Sequence, residues 1–75
     1  MALTRHERKD ALPHGWQKKA AKRARVAESA ISLLMNEKDP PIKASRIARA
    51  KKVLAELIHE ANPEIAVEDV WETAA

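Results

Sequence analysis

Three proline-containing breaks constrain this chain most, because they divide it into separate helical segments. They lie at residues 13–15 (Pro-His-Gly), 39–41 (Asp-Pro-Pro) and 62–63 (Asn-Pro). Proline lacks a backbone N–H and pushes the residue before it out of the α region, so a helix is expected to end at each break. The chain therefore has to fold from short elements that begin and end near these positions.

The segments between the breaks are made of residues that favour helices. The 75 residues include one Gly and no Phe, Tyr or Cys, whereas Ala, Leu, Ile, Arg, Lys and Glu are abundant. This composition predicts an all-α protein, and the length predicts one domain with a small core. We expect a single domain over residues 1–75 with four to five helices.

Helical periodicity and capping signals place the individual elements. Thr4 and Glu7 have the spacing of a capping box, so residues 1–15 form either a basic arm or a short helix. Asp39 is expected to cap a supporting helix over residues 42–61. The apolar positions with helical spacing form two stripes, one of Trp16, Ala20, Ala24, Ala27, Ile31 and Leu34, the other of Ile47, Ala50, Leu54, Leu57, Ile58 and Ala61.

Charge is distributed unevenly along the chain. Residues 1–26 hold eight basic and two acidic side chains, residues 27–52 hold six and three, and residues 53–75 hold none and six. A basic front suits a polyanionic partner, while the acidic C-terminal segment, residues 63–75, limits binding to other polyanions or folds back on the basic part. The other interpretation is an ordinary solvated surface.

Hydropathy and cysteine content indicate the cellular compartment in which the protein is expected. No apolar run reaches the roughly 20 residues that span a bilayer, and the first residues lack the apolar stretch of a signal peptide. The lack of cysteine fits a reducing compartment. We therefore expect a cytoplasmic protein without a membrane partner.

Residues 16–36 have the spacing of a helix-turn-helix. Two short helices that cross closely need a small side chain where they touch, and apolar side chains in the turn and the second helix fill the space beneath. The second helix, residues 28–35, is the one expected to enter the DNA major groove. The predicted motif core consists of Ala21, Val26, Ile31 and Leu34.

This stretch resembles the DNA-binding headpiece of lactose-repressor-type regulators and, more loosely, small phage Cro-like repressors. Their shared pattern is Ala, three residues, Gly-Val-Ser, four residues, then a branched apolar residue followed by Ser, and it is matched here by Ala21, Val26, Ile31 and Ser32. The resemblance covers about residues 16–60. It implies a sequence-reading, double-stranded DNA-binding regulator of phage or plasmid style, a repressor being typical. Since only the DNA-reading head of those regulators is similar, no small-molecule effector is expected.

Two positions leave a second fold open. Arg25 stands where a glycine usually supplies a positive φ, and Ala27 stands where Ser or Thr usually caps the second helix. In the alternative, residues 17–36 form one continuous helix that packs against residues 45–61 as an antiparallel hairpin. Val26 favours the turn, because on a continuous helix it would lie away from the apolar stripe.

The resemblance also assigns roles to side chains. It places base contacts on the first, second and sixth residues of the second helix, which are Glu28, Ser29 and Leu33. Polar residues near the helix ends are expected to contact DNA phosphates, and these are Gln17, Lys18, Lys22, Ser32, Asn36, Lys38 and Arg46. The basic residues before the motif lie either on a minor-groove arm or, as the capping box favours, on a short helix: Arg5, Arg8 and Lys9.

The titratable residues do not form a catalytic or metal-binding pattern. His6, His14 and His59 lack the spacing and the carboxylate or thiolate companions of a metal site. No serine has an evident base and orienting group. We therefore expect no enzymatic activity, no metal and no cofactor.

The C-terminal segment leaves two alternatives open. Its apolar residues either join two chains in a homodimer or cover the monomer's own core, and they are Ile65, Val67, Val70 and Trp71. A dimer would present two reading helices to half-sites about 10 base pairs apart. The competing function is a protein-binding inhibitor or adaptor, a helical hairpin whose acidic tail and Trp71 anchor a partner.

Overall fold

The computed structural model describes residues 2–71, and Met1 and residues 72–75 lie outside the described part of the chain. The predicted acidic segment is therefore described only as far as Trp71. The elements, in chain order, are α1 (Arg5–Ala11), α2 (Trp16–Ala24), α3 (Glu28–Met35), α4 (Ala44–Ala61) and a single 3-10 turn (Val67–Asp69). Since residues 2–71 contain four α-helices and no strand, the protein is a small all-α domain, as its composition predicts.

The capping box at the start of α1 forms as its spacing predicts. The backbone N–H of Glu7 donates to Thr4 Oγ1 at 3.2 Å, and the backbone N–H of Thr4 donates to Glu7 Oε1 at 2.9 Å. Helix α1 ends at Ala11, and the buried Leu12 follows it in an extended conformation ahead of Pro13. Residues 5–11 thus form a packed helix and not an extended arm.

A three-residue turn separates α2 from α3, so the alternative of one continuous helix over residues 17–36 is wrong. Arg25 ends α2 in the left-handed region, with φ 58° and ψ 45°. The N–H of Val26 donates to the carbonyl of Ala21 at 3.1 Å, which closes the end of the helix. Ala27 then begins α3 in an extended conformation without a side-chain cap. The chain turns here without the glycine and the hydroxyl cap that usually mark such a turn.

The connection between α3 and α4 differs from the prediction. Helix α4 begins at Ala44 rather than at residue 42, and its N-cap is Lys43, which makes no side-chain capping bond. Asp39, the predicted cap, is exposed. The reason is a tight turn in which the N–H of Ile42 donates to the carbonyl of Pro40 at 2.8 Å, so the chain is still turning where the helix was expected to start.

The core forms where α1, α2, α3 and the 3-10 turn pack against α4. Its most deeply buried side chains are Ala20, Ala24, Ile31, Met35, Ala50, Leu54, Ile58 and Val70. Two positions assigned to the apolar stripes are wrong, because Ala27 and Ala61 are exposed. Ala27 lies in the turn, and Ala61 is the last residue of α4. Val53 and Ala55, which periodicity did not select, are buried because neighbours cover α4 on more than one side.

The two ends of the described chain meet. The N–H of Leu3 donates to the carbonyl of Asp69 at 3.0 Å. Val70 is fully buried, and Ile65, Val67 and Trp71 are half-buried against the core. The C-terminal segment therefore covers the core of its own chain.

Candidate nucleic-acid interface

Helix α3 has a buried face and an outer face. Ala30, Ile31, Leu34 and Met35 are buried, which fixes the helix against the rest of the domain. The three predicted base-contact residues lie elsewhere on it: Glu28 and Ser29 are exposed and Leu33 is half-buried. Ser29 and Leu33 are four residues apart, so their side chains are neighbours on one face of the helix. The outer face thus presents a carboxylate, a hydroxyl and an apolar side chain.

A side-chain hydrogen bond ties the beginning of α2 to the beginning of α3. Gln17 Nε2 donates to the backbone carbonyl of Glu28 at 3.2 Å. Gln17 is half-buried, whereas the next residue, Lys18, is exposed. This bond brings a predicted phosphate-contact residue beside a predicted base-contact residue, although 11 positions separate them in sequence.

The remaining phosphate-contact candidates divide into exposed and engaged side chains. Lys22, Lys38 and Arg46 are exposed, as is Lys18. Lys18 and Lys22 are one turn apart on α2 and therefore share a face. Ser32 and Asn36 are half-buried, and Asn36 Nδ2 donates to the carbonyl of Ser32 at 3.0 Å. The four cationic candidates are thus the ones with side chains open to solvent.

An ion pair that sequence patterns did not reveal ties α2 to α4. Arg23 Nη1 lies 2.9 Å from Glu60 Oε2, and about half of each side chain is exposed. The hydrogen bond from Arg23 lowers the pKa of Glu60, and the same bond raises the pKa of Arg23. The charge of Arg23 is therefore matched within the chain.

The structure also places one basic residue inside the domain. Arg8 is only 3% exposed. Its Nη2 lies 2.9 Å from Glu37 Oε1, its Nη1 donates to the carbonyls of Leu3 at 2.7 Å and Val70 at 3.3 Å, and its Cζ lies 4.3 Å from the centroid of the Trp71 ring. No local signal separates Arg8 from the exposed Arg5 and Lys9, since all three are basic residues on one short helix.

Trp71 has a defined position against α4. Its Nε1 donates to the carbonyl of Lys51 at 2.9 Å, and Lys51 Nζ lies 5.4 Å from the ring centroid. The ring is half-buried and in contact with the core cluster. The sequence left two positions for Trp71, folded back on the domain or free to anchor a partner. In the structure Trp71 is folded back.

The histidines and acidic residues do not assemble a metal site in the part of the chain that the structure describes. His6 and His14 are exposed, and His59 Nδ1 lies 2.7 Å from the carbonyl of Ile65, next to the end of α4. Among the helices of residues 2–71, none has the length and apolar character of a membrane span.

Comparison of the chain with protein-family models, with curated proteins and with solved structures gives no match. The function therefore has to be inferred from the residues and their arrangement.

Proposed function

We propose that this protein binds double-stranded DNA as a helix-turn-helix regulator of phage or plasmid style, with α3 in the major groove. The observation that carries the proposal is the unit of α2, a three-residue turn with a left-handed Arg25, and α3. Two short helices joined in this way, with the second supported from behind and open in front, have the form that presents a helix to DNA.

The outer face of α3 supports the proposal by its chemistry. Glu28 can accept a hydrogen bond from the amino group of cytosine, Ser29 can donate or accept, and Leu33 can contact the methyl group of thymine. These three are the residues on α3 that the family resemblance selects, and they are not in the buried set of the helix. With no bidentate Arg, Asn or Gln on this face, we propose modest sequence specificity.

Four exposed cationic side chains support binding to the DNA backbone. Lys18 and Lys22 project from α2, Lys38 follows α3, and Arg46 lies in the first turn of α4; all four are exposed. Phosphate contacts position a protein on the duplex and release counterions. We assign these four residues to phosphate contacts, and Gln17 to bridging α2 and α3 beside them.

The alternative function, a protein-binding inhibitor or adaptor, has less support. It requires Trp71 to anchor a partner, but this ring packs beside Arg8 and its N–H is bonded to Lys51. It also assumed that residues 17–36 form one continuous helix of a hairpin, whereas the structure has a turn at Arg25.

Homodimerisation stays a prediction. Val70 is fully buried within its own chain, so a contact between two copies through this segment would have to use the exposed parts of Ile65, Val67 and Trp71. Two paired copies would double the base contacts and would bind palindromic half-sites about 10 base pairs apart.

The decisive experiment is a titration of labelled duplex DNA at several salt concentrations. We expect saturable binding that weakens steeply with salt, and we expect Lys18→Ala to lower the slope of log K against log salt by about 1 without changing sequence preference. The matched control is Lys52→Ala, which removes an exposed lysine from the side of α4 opposite Leu54 and should leave the slope unchanged. Lack of saturable binding, or equal slopes for the two variants, would contradict the proposal.

A further inference from the structure

The turn that follows α3 contains a second residue in the left-handed region. Glu37 has φ 59° although it is not a glycine. Its N–H donates to the carbonyl of Leu34 at 3.0 Å, and the N–H of Lys38 donates to the carbonyl of Leu33 at 2.9 Å. This pair of bonds is the Schellman arrangement, in which the left-handed position is usually glycine. Glu37 thus has a conformation that its own side chain disfavours.

The side chain of Glu37 is held from outside the turn. Its carboxylate accepts a hydrogen bond from Arg8 Nη2 at 2.9 Å. The guanidinium is itself held by the carbonyls of Leu3 and Val70 and by the Trp71 ring. A buried, multiply bonded arginine has few alternative positions, whereas the side chain of Glu37 is 62% exposed and would otherwise be free to move.

We propose that Arg8 is a positioning residue for DNA binding, which holds Glu37 in the left-handed conformation and thereby sets the path of the chain from α3 to Lys38. This inference rests on the proposed function, since Lys38 is one of the phosphate-contact residues assigned above. Arg8 acts through Glu37 and does not itself contact DNA, because it is buried. The contact from α1 thus orders the backbone at the far end of the reading helix.

The test compares two neutral substitutions at the same position. Glu37→Ala removes the carboxylate and keeps a side chain that disfavours positive φ, whereas Glu37→Gly removes the carboxylate and also that constraint. We expect Glu37→Ala to weaken DNA binding about tenfold, the scale of the left-handed preference, and Glu37→Gly to bind within about twofold of the unmodified protein. Both variants remove one negative charge, so a purely electrostatic effect would change the two affinities equally. Equal affinities of the two variants would therefore overturn the inference.

A double-mutant cycle tests whether Arg8 acts through Glu37. Arg8→Met should weaken binding in the unmodified background about as much as Glu37→Ala does, because both changes release the turn that positions Lys38. In the Glu37→Gly background it should have little further effect. An effect of equal size in both backgrounds would overturn the positioning role.

A measurement without DNA separates this inference from the proposed function. Amide hydrogen exchange at Lys38 reports its bond to the Leu33 carbonyl, and we expect about tenfold faster exchange in Glu37→Ala but not in Glu37→Gly. Equal exchange in the two variants refutes the role of Arg8 and Glu37 in the turn. If exchange behaves as expected and no variant binds DNA, the turn is positioned as described but its proposed use in DNA binding is wrong. In both variants Arg8 keeps its bonds to the carbonyls of Leu3 and Val70, and thermal unfolding of each variant verifies that the domain is folded.

Discussion

Two non-glycine residues in the left-handed region lie at the two ends of α3. Arg25 precedes α3 and Glu37 follows it, while Gly15, with φ 77°, precedes α2. In residues 2–71 these are the positions with positive φ, and each lies where the chain changes direction. A side chain in this region is disfavoured unless the surroundings hold it. Glu37 has such support from Arg8, and the side chain of Arg25 is exposed.

The conformation of Arg25 gives a test at the level of one residue. Arg25→Gly should leave the free energy of unfolding unchanged or raise it by up to about 1 kcal/mol, because glycine adopts positive φ without a steric penalty. The matched control is Lys19→Gly, an exposed position inside α2, which should lose about 1 kcal/mol as for a glycine within a helix. Urea unfolding of both variants measures the difference, and equal losses would mean that Arg25 is helical in solution.

The capping box predicts a pH dependence that belongs to Glu7. The backbone N–H of Thr4 is the main cause that lowers the pKa of Glu7 below its ordinary value of 4.5, and the Thr4 hydroxyl adds to it. Since the folded pKa is the lower one, the stabilisation is present above the ordinary value and is lost as pH falls through the folded pKa. Glu7→Gln keeps an acceptor for Thr4 but does not titrate.

Melting curves of the two proteins over a pH series check this expectation. The melting temperature of the unmodified protein should fall relative to that of Glu7→Gln as pH drops from about 6 to about 3. Parallel curves over this range would show that Glu7 does not contribute.

At the scale of elements, the crossing of α2 and α3 depends on small side chains. Ala20, Ala21 and Ala24 are all buried on α2, and they lie in one core cluster with Ile31 and Leu34 of α3. Alanine allows two helices to approach closely, since a longer side chain would hold them apart. Val26 is half-buried against the same cluster from the turn, which agrees with its predicted place in the motif core.

Overpacking at this crossing is the corresponding test. Ala21→Leu should reduce the free energy of unfolding by roughly 1–3 kcal/mol, because Ala21 is 8% exposed and its neighbours would have to move. Ala48→Leu is the control, since it makes the same change at an exposed position of α4 and should be close to neutral. Similar melting temperatures for the two variants would mean that the crossing has space to spare.

At the scale of the whole molecule, the C-terminal segment closes the domain. Val70 packs into the core, its carbonyl accepts from Arg8, and Trp71 lies over the same guanidinium. Asn62 adds a link between distant parts, because its Nδ2 donates to the carbonyl of Ala11 at 2.7 Å. The first helix and the last described residues therefore stabilise each other although they are at opposite ends of the sequence.

This closure predicts unequal effects of two valine substitutions. Val70→Ala should reduce the free energy of unfolding by about 1–3 kcal/mol, because it removes two buried methyl groups and leaves a cavity. Val67→Ala makes the same change at a half-buried position and should have a smaller effect. Denaturant unfolding, with Trp71 fluorescence as one probe, measures both. A larger loss for Val67→Ala would mean that the segment is not packed as described.

The sequence by itself determined the fold class, and it favoured, without deciding, the start of α1 and the break between α2 and α3. Capping depends on two residues three positions apart, and proline acts on its immediate neighbour, so such signals are readable along the chain. The spacing of Ala21, Val26 and Ile31 predicted the turn even though Arg25 stands at the position where glycine is usual. The family resemblance, and not the spacing, selected Glu28, Ser29 and Leu33, which are not among the buried residues of α3.

Only the tertiary structure decided which of several similar residues became buried or paired. Arg8 differs from Arg5 in local sequence by nothing that predicts burial, but it alone meets Glu37, the carbonyl of Val70 and the Trp71 ring. The start of α4 at Ala44 likewise follows from the turn at Pro40 rather than from a capping side chain. Burial and ion pairing depend on which surfaces meet, and contacts across 29 to 62 positions leave no periodic signal in the sequence.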